Sequence, residues 1–393
     1  MHRRALQAAA SEDKLTSNSP PPRVPMSEPD ITPDDIEAVV NVLKSNRLSL
    51  GPYLEKFEDA FAAYIGTRYA VGVSSGTAGL HSVIRAAKIG PNDEVVTTPF
   101  SFVASANCVL YEGARPVFVD IDENSMNLDP RLLPSAITAH TRAILPAHVF
   151  GQPCAMDEIV ALASHHNLHV IEDACEAIGA EYLGRKVGTF GLAAVFSFYP
   201  NKQMTAGEGG IVTTDNPEIA RILRSLRNQG RDDMGPWLGH TRLGYNYRLG
   251  EMNAALGFSQ LTRIEDLLAR RQKVADYYKE RLRSVSGVQL MTPIETTTRL
   301  SWFVLIVRLD PSISQKLLIQ RLADMGVPTR SYFTPIHLHP FYRDLLGHKE
   351  GSFPVTERVA RSLLALPFHT NFSEHSVDFV VDCLCQAVQR ADT

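Results

Sequence analysis

The 393-residue sequence predicts an α/β protein, with a mostly parallel central sheet flanked by helices and a smaller C-terminal α+β domain. Short apolar runs alternate with helical patterns from Tyr69 onward, which is typical of a parallel sheet covered on both faces. A hydrophobic fraction of 44% and a charged fraction of 21% are ordinary for a globular protein. A chain of this length has room for one large domain and a smaller partner.

The secondary-structure elements follow one another in a regular order. A helix is predicted over residues 33–46, with Pro33 in its first turn, and a second helix ends at Gly66. Residues 251–285 predict either one long amphipathic helix or a kinked pair. The predicted strands of the large sheet are YAVGV, EVVTT, PVFVD, RAILPAH, LHVIED, AVFSF and GGIVTT, and SWFVLIVRL is the clearest strand of the small domain.

The composition of the N-terminus differs from that of the rest of the chain. Residues 1–22 contain Ser, Asn and a Pro run but no apolar core of a signal peptide, so we predict a disordered tail there. We predict a large domain over residues 23–255, whose N-terminal helix could pack on the small domain. A linking helix and the small domain would follow over residues 256–393.

Charge and cysteine usage exclude several classes of protein. The net charge of −4 and the absence of a dense basic stripe argue against nucleic-acid binding. No apolar stretch approaches the length that spans a bilayer, so no membrane segment is expected. The cysteines are odd in number and lack metal spacing, which predicts reduced thiols in a cytoplasmic protein. They are Cys108, Cys154, Cys175, Cys383 and Cys385.

One lysine and one carboxylate carry the strongest chemical signal. Lys202 lies between an apolar aromatic run and a glycine-rich turn in FSFYPNKQMTAGEGG, and Asp173 follows Val170 and Ile171 where a buried strand would end. A pyridoxal phosphate enzyme needs this pair: the amine forms a Schiff base with the cofactor, and the carboxylate keeps the pyridine nitrogen protonated. Taken alone, Lys202 could be a surface residue and Asp173 a helix cap.

A third motif, SSGTAGLH, predicts the site of the cofactor phosphate. Small residues between a strand and a helix expose backbone N–H groups that bind anions. Ser75, Gly76, Thr77 and Ala78 would cradle the phosphate. Alone, the motif is better explained by a tight turn without a ligand, but its order relative to Asp173 and Lys202 favours the cofactor.

The chain resembles the DegT/DnrJ/EryC1/StrS sugar aminotransferases in these ordered motifs. Four further segments carry the resemblance: LSLGPYLEKFEDAFAAYIG, DEVVTTPFSFVASAN, PAHVFGQP and GYNYRLGEMNAALG. The resemblance runs from about residue 23 to the C-terminus. It implies a fold type I pyridoxal phosphate enzyme with Lys202 as the catalytic lysine and Asp173 on the pyridinium nitrogen. It also implies that the freed amine of Lys202 moves the proton during transamination.

The resemblance assigns further residues to the cofactor. Glu176 would contact its phenolic oxygen, which requires a raised pKa or a bridging donor because two anionic oxygens repel. Ser197 would add a hydroxyl to the phosphate site, and Phe102 would stack on the ring or simply pack in the core. Asn246 would reach the phosphate of the neighbouring subunit, so the resemblance implies a homodimer with shared active sites.

Three histidines are candidates for substrate contact. His148 follows a predicted strand, and His337 and His339 lie in RSYFTPIHLHPFY, which in relatives lies near the nucleotide-sugar site. For each histidine, the sequence is equally compatible with a structural role and with substrate contact. The two alternating histidines lack supporting Cys, Asp or Glu spacing, so no metal site is predicted.

The reaction is inferred from the resemblance. A lysine at position 202 excludes the dehydrase branch, and the GEGG that follows is typical of members that aminate C4 of the sugar, such as GDP-perosamine synthase-like enzymes. The expected reaction moves an amino group from L-glutamate to C4 of a nucleotide-linked 4-keto-6-deoxysugar, for glycan or polysaccharide biosynthesis. The alternatives are a C3 sugar or amino-cyclitol aminotransferase, or a non-catalytic regulatory protein that binds pyridoxal phosphate.

Overall fold

A computed structural model describes residues 23–232 and 239–389, so the predicted tail over residues 1–22 lies outside the described residues. The α-helices are α1 (Pro33–Lys44), α2 (Pro52–Ile65), α3 (Gly76–Ala86), α4 (Ala104–Tyr111), α5 (Leu133–Ala136), α6 (Met156–His165), α7 (Pro217–Arg227), α8 (Glu251–Thr262), α9 (Ile264–Leu282), α10 (Gln315–Asp324), α11 (Pro340–Leu346), α12 (Pro354–Ser362) and α13 (Glu374–Gln389).

The strands form three sheets. They are β1 (Tyr69–Val73), β2 (Glu94–Thr97), β3 (Arg115–Phe118), β4 (Thr141–Leu145), β5 (His169–Asp173), β6 (Glu181–Tyr182), β7 (Arg185–Lys186), β8 (Ala193–Ser197), β9 (Gly210–Thr214), β10 (Val288–Leu290), β11 (Thr297–Arg299), β12 (Leu305–Leu309) and β13 (Leu363–Leu366).

The large sheet has the predicted mostly parallel character. Its order is β1-β9-β8-β5-β4-β2-β3, and β9 runs antiparallel to both of its neighbours while the other neighbouring pairs are parallel. The strands are largely buried because helices cover both faces, as the continuous apolar runs predict. Val71 and Val212 of the sheet pack with Leu223 of α7 on one side.

The small sheet and the linking helices also follow the sequence expectations. The segment SWFVLIVRL contains β12, which lies between β10 and β13 in a three-stranded antiparallel sheet. The long amphipathic stretch is a kinked pair, because the chain breaks between α8 and α9 at Arg263 (φ −120°, ψ 19°). The Arg263 guanidinium pairs with Asp30 at 3.1 Å and with Asp35 of α1 at 2.7 Å, which anchors the kink.

Helix α1 packs against α8, and Gln260 of α8 donates to Asp35 at 2.8 Å. The predicted boundary at residues 255/256 falls inside α8. The division into 23–255 and 256–393 therefore remains a prediction.

The ends of several strands meet at one edge of the large sheet. Asp173 and Ser197 are the last residues of β5 and β8, and Ser75 comes two residues after β1 ends. Because β9 runs in the opposite direction, its first residue, Gly210, lies at this same edge opposite Ser197. A Cβ on Gly210 would lie 2.6 Å from the carbonyl carbon of Ser75, so glycine is required for this close approach.

Candidate active site

A cavity of about 420 Å³ opens at the carboxyl edge of the large sheet, where ligands of such sheets bind. It brings together most of the residues that the sequence nominated. Those that line it are Ser75, Gly76, Thr77, Phe102, His148, Asp173, Glu176, Ser197 and Lys202.

The start of α3 forms one end of the cavity. Ser75 is the N-cap, and its Oγ accepts a hydrogen bond from the Ala78 N–H at 3.1 Å. The N–H groups of Gly76 and Thr77, in the first turn, have no intrahelical acceptor and are available to an anion. Ala78 does not line the cavity and its N–H donates to the Ser75 cap, so its place in the cradle stays a prediction.

Asp173 is held rigidly at the end of β5. One carboxylate oxygen accepts from the Ser105 hydroxyl at 2.6 Å, and the other accepts from the Cys175 N–H at 3.2 Å. The residue is buried, although it lines the cavity. A carboxylate with fixed partners at a strand end can hold a protonated ring nitrogen.

Lys202 lies in the turn that follows β8, where its N–H donates to the Tyr199 carbonyl at 2.9 Å. Its amine nitrogen lies 3.8 Å from a Glu176 carboxylate oxygen and 3.9 Å from the centre of the Phe303 ring. The lysine side chain is only 12% exposed, so it is a buried cavity residue and not a surface lysine.

Glu176 is the predicted neighbour of the phenolic oxygen. The Phe150 N–H donates to its second carboxylate oxygen at 2.9 Å. Burial raises the pKa of Glu176, although the nearby Lys202 amine and the Phe150 N–H act in the opposite direction. The direction of this pKa shift is the one that the predicted role requires, because two anionic oxygens repel.

The pKa of Glu176 predicts a pH-dependent stability of the cofactor-free protein. A folded-state pKa above the usual value near 4.5 contributes to the free energy of unfolding below that pH. This contribution is lost as the pH rises through the folded pKa. Glu176→Gln removes the titration, so the variant should gain stability relative to the wild type as the pH rises above 4.5.

Denaturant unfolding of the two cofactor-free proteins across this pH range measures the difference. Glu208→Gln is the control, because its exposed carboxylate in the same cavity is already hydrated. Parallel pH profiles for the wild type and Glu176→Gln would contradict the prediction.

The three histidines lie in different surroundings. The His148 ring is buried, and its nitrogens lie 3.3 Å from Glu172 Oε2 and 3.1 Å from the Cys154 N–H. Both ring nitrogens therefore have protein partners, while the residue lines the cavity, and its contact with substrate stays a prediction.

His337 and His339 do not line the cavity. His337 is buried against Phe353 and its Nε2 lies 3.0 Å from Glu357, while burial lowers its pKa. His339 precedes α11, where its carbonyl accepts the N–H groups of that helix. The segment instead reaches the cavity through Tyr332 and Phe333.

Asn246 lies outside the cavity of its own chain and is exposed. Tyr245 and Tyr247, on either side of it, stack at 4.9 Å with the His81 ring against them, and the Tyr245 hydroxyl donates to Glu112 at 2.7 Å. This holds the segment firmly and leaves the Asn246 side chain free to contact another molecule. Its contribution to a neighbouring subunit stays a prediction.

Sequence reasoning missed several residues of the cavity. Ser105 does not line the cavity but holds Asp173, and it lies in the motif SFVASAN, where two serines four residues apart could have signalled the hydrogen bond between Ser101 and Ser105. Phe303, Tyr332 and Phe333 come from a part of the chain distant in sequence, so no local pattern indicated them. The other missed lining residues are Leu80, Ser101, Ala104, Ala147, Val149, Cys175, Tyr199, Asn201 and Glu208.

Residues 23–232 and 239–389 lack the features of two other classes of site. They contain no group of three or more His, Cys, Asp and Glu side chains arranged to hold a metal ion. Within the same ranges, every helix is too short or too polar to cross a membrane.

The fold and the cavity together define a class. A cavity lysine opposite a strand-end carboxylate, with a free helix N-terminus beside them, is the site of a pyridoxal phosphate-dependent transaminase. The chain belongs to the DegT/DnrJ/EryC1/StrS aminotransferase family, whose model matches residues 29–385. It is a sugar aminotransferase of this family.

Sequence similarity to named relatives extends over nearly the whole chain. The chain is 37% identical over 371 residues to GDP-perosamine synthase of Caulobacter vibrioides, which covers 93% of this chain and 99% of the relative. It is 37% identical over 385 residues to dTDP-3-amino-3,4,6-trideoxy-alpha-D-glucose transaminase of Streptomyces venezuelae, covering 96% and 100%. The crystal structure of S. venezuelae DesV with a ketimine intermediate superposes with a TM-score of 0.87 at 38% identity, covering 94% and 99%.

The cofactor of this family is pyridoxal phosphate, and the cavity fits it. A Cβ on Gly76 would lie 2.8 Å from Cys175 Sγ and 3.0 Å from Ser197 Cβ, so only glycine leaves the helix start open to a phosphate. Lys202 and Asp173 line the same cavity as this anion site. Burial and the nearby Asp173 raise the pKa of the Cys175 thiol, so Cys175 is a packing residue and not a nucleophile.

Proposed function

We propose that the chain transfers an amino group from L-glutamate to C4 of a nucleotide-linked 4-keto-6-deoxysugar, for glycan or polysaccharide biosynthesis. The observation that carries the proposal is the cavity that unites Lys202, Asp173 and the α3 N-terminus with Glu208 of the GEGG turn. In the resemblance that suggested this reaction, GEGG is typical of members that aminate C4.

Each cavity residue has a proposed task. When bound, pyridoxal phosphate supplies an electron sink for the bonds around the reacting carbon. Asp173 keeps the pyridine nitrogen protonated, and the first N–H groups of α3 hold the phosphate. The Lys202 amine would move the proton between the substrate carbon and the C4′ carbon of the cofactor, and the place of Lys202 in the cavity lining supports this role.

The charges of the cavity support a contribution from a second subunit. Among the described lining residues, Asp173, Glu176 and Glu208 are acidic and Lys202 is the one Lys or Arg. The carboxylates of glutamate and a sugar diphosphate both require cations or N–H donors. Phe102 and Tyr199, 61% and 50% exposed at the cavity, are also apolar surfaces that a partner would cover. We infer that a homodimer completes the site and that Asn246 is part of the contribution.

Subunit mixing tests the shared site. Neither Lys202→Ala nor Asn246→Asp should be active alone, since the latter sets a carboxylate against the phosphate. If Asn246 acts across the interface, a mixed dimer has one intact site, and equal mixing should restore about one quarter of wild-type activity. If Asn246 acts within its own chain, no mixed dimer contains an intact site. Refolded mixtures that stay inactive, with mixed dimers verified by a tag, would contradict the prediction.

The substrate is tested by separating the two half-reactions. Purified protein should convert bound pyridoxal phosphate to the pyridoxamine form with L-glutamate, with release of 2-oxoglutarate. The pyridoxamine form should then aminate a ketosugar in a panel of GDP-, UDP- and dTDP-linked sugars, followed by mass spectrometry. NMR of the product locates the nitrogen. Cofactor binding with no half-reaction toward any amino donor would instead indicate a regulatory binding protein.

Amination at C3 remains the second candidate because of one observation. The chain is equally identical, at 37%, to GDP-perosamine synthase and to a relative whose name specifies a 3-amino sugar. Overall identity therefore does not discriminate between the two positions. Transfer of nitrogen to C3 by this protein would overturn the C4 proposal and leave the lysine chemistry intact.

A further inference from the structure

A buried arginine near the cavity has no carboxylate partner. Arg271 of α9 is 2% exposed, and among the described residues no acidic side chain pairs with it. Its Nε donates to the Trp302 carbonyl at 2.6 Å and its Nη2 donates to the Phe303 carbonyl at 2.7 Å. Burial lowers the pKa of Arg271 to about 9, which still leaves it charged at neutral pH. Burial of a cation costs free energy, and the hydrogen bonds to the two carbonyls offset part of that cost. The position of Arg271 beside residues 302 and 303 therefore calls for an explanation.

The segment that Arg271 holds is fixed from both sides. On the helix side, the Trp302 indole donates to Gln272 at 2.8 Å. On the cavity side, Gln203 donates to the Ser301 hydroxyl and to the Glu176 carbonyl, both at 2.7 Å. Gln203 is the residue after Lys202, so these bonds fix the segment relative to the lysine.

The segment presents Phe303 to the lysine. The Phe303 ring is 2% exposed, and its centre lies 3.9 Å from the Lys202 nitrogen, while Glu176 approaches that nitrogen to 3.8 Å from its own carboxylate. An ammonium group is attracted to an aromatic face and to a carboxylate, and both attractions are stronger where water is excluded. Together the ring and the carboxylate form a seat for the free amine.

We propose that Arg271 is a positioning residue for Lys202, because it fixes Phe303 so that Phe303 and Glu176 hold the amine whenever it is not bonded to the cofactor. The inference rests on the proposed role of Lys202. When the lysine condenses with the cofactor aldehyde, a C=N bond forms, water leaves and the amine gives up this seat. When the cofactor carries the amino group as pyridoxamine phosphate, the lysine is free and the seat is occupied.

The seat therefore has a thermodynamic consequence with a definite sign. It opposes the binding of pyridoxal phosphate, which takes the amine away, but not the binding of pyridoxamine phosphate, which leaves the amine where it is. By linkage, it also shifts the glutamate half-reaction toward the pyridoxamine form. A role limited to stability would alter the affinity for both forms of the cofactor in the same direction.

Cofactor affinities of full-length variants test the proposal. For Phe303→Leu we expect the Kd of pyridoxal phosphate to fall by about tenfold, with the Kd of pyridoxamine phosphate changed by less than about twofold. Arg271→Met should act in the same direction with a smaller effect. The glutamate half-reaction, followed by absorbance to equilibrium, should shift toward the pyridoxal form by the factor by which the substitution changes the ratio of the two Kd values.

Arg270→Met is the matched control, because it makes the same change one residue away on α9. Arg270 pairs with Asp30 at 2.6 Å and with Asp266 at 2.9 Å at the surface and has no bond to residues 301–303. It should leave the ratio of the affinities unchanged. Unequal effects in the expected direction support the proposal; equal weakening of both affinities, or tighter binding of the pyridoxamine form alone, overturns it.

Failure of this proposal can be distinguished from failure of the proposed function. If Arg271→Met does not fold, Phe303→Leu alone decides the result. The affinities require no sugar, so an error in the assigned substrate does not affect them. A covalent bond between protein and cofactor that persists in the Lys202→Ala variant would refute the role of Lys202 itself.

Discussion

Lys202→Ala is expected to abolish the visible absorbance of the lysine–cofactor Schiff base and to lower kcat/KM by about 10⁴-fold or more. The variant loses both the covalent attachment and the group that moves the proton. No other lysine lines the cavity among the described residues, so none can replace it. Pyridoxamine phosphate should still bind, because the helix N-terminus and Asp173 remain.

The control for this variant is another lysine that contacts an aromatic ring. The Lys186 nitrogen lies 3.9 Å from the centre of the Tyr64 ring, the same distance as that between Lys202 and Phe303, but Lys186 does not line the cavity. Lys186→Ala should keep the absorbance and the turnover of the wild type. Steady-state assays and absorbance spectra of the two variants provide the comparison, and turnover by Lys202→Ala close to that of the wild type would refute the mechanism.

Asp173→Asn is expected to lower kcat by about 10³-fold while the cofactor continues to bind. Asparagine keeps the shape: its carbonyl oxygen can still accept from the Cys175 N–H, and its NH2 group can donate to the Ser105 hydroxyl, which then donates to the Phe102 carbonyl, so the local structure should survive. It cannot hold a proton on the pyridine nitrogen by charge, because it is neutral. The ring is then a much weaker electron sink, and the chemical step slows in both half-reactions.

Ser105→Ala separates charge from position. It removes the 2.6 Å hydrogen bond to Asp173 but leaves the carboxylate, so a loss of about tenfold or less is expected. Single-turnover rates with glutamate compare the two variants directly. If Asp173→Asn retained the wild-type rate, or if Ser105→Ala were equally damaging, the pyridinium role of Asp173 would be wrong.

Much of the fold follows from local patterns. Strands β5 and β8 are apolar runs that end in Asp173 and Ser197, and each was visible as a buried strand followed by polar residues. Strand β9 was equally visible, but its antiparallel direction was not. Its side chains are buried on both faces, so its apolar pattern is the same in either direction.

The histidines show where a local pattern gives no answer. The alternation of His337 and His339 with apolar residues does not reveal that Glu357, twenty residues away from His337, satisfies one of them. A buried ring with a carboxylate partner and an exposed ring waiting for a substrate have the same sequence pattern. The contact that distinguishes them is made between two elements, α12 and the segment before α11.

The sequence alone determined the alternating α/β architecture, the family and the central pair, because periodicity, glycines and strand-end carboxylates are local features. It also identified the helix start that we propose as the phosphate site. Only the tertiary structure decided what surrounds Lys202. Arg271 and Phe303 lie 69 and more residues beyond it, and chain folding, not sequence spacing, brings them to the amine. The pKa of Glu176 was decided in the same way, because burial depends on neighbours that are distant in the chain.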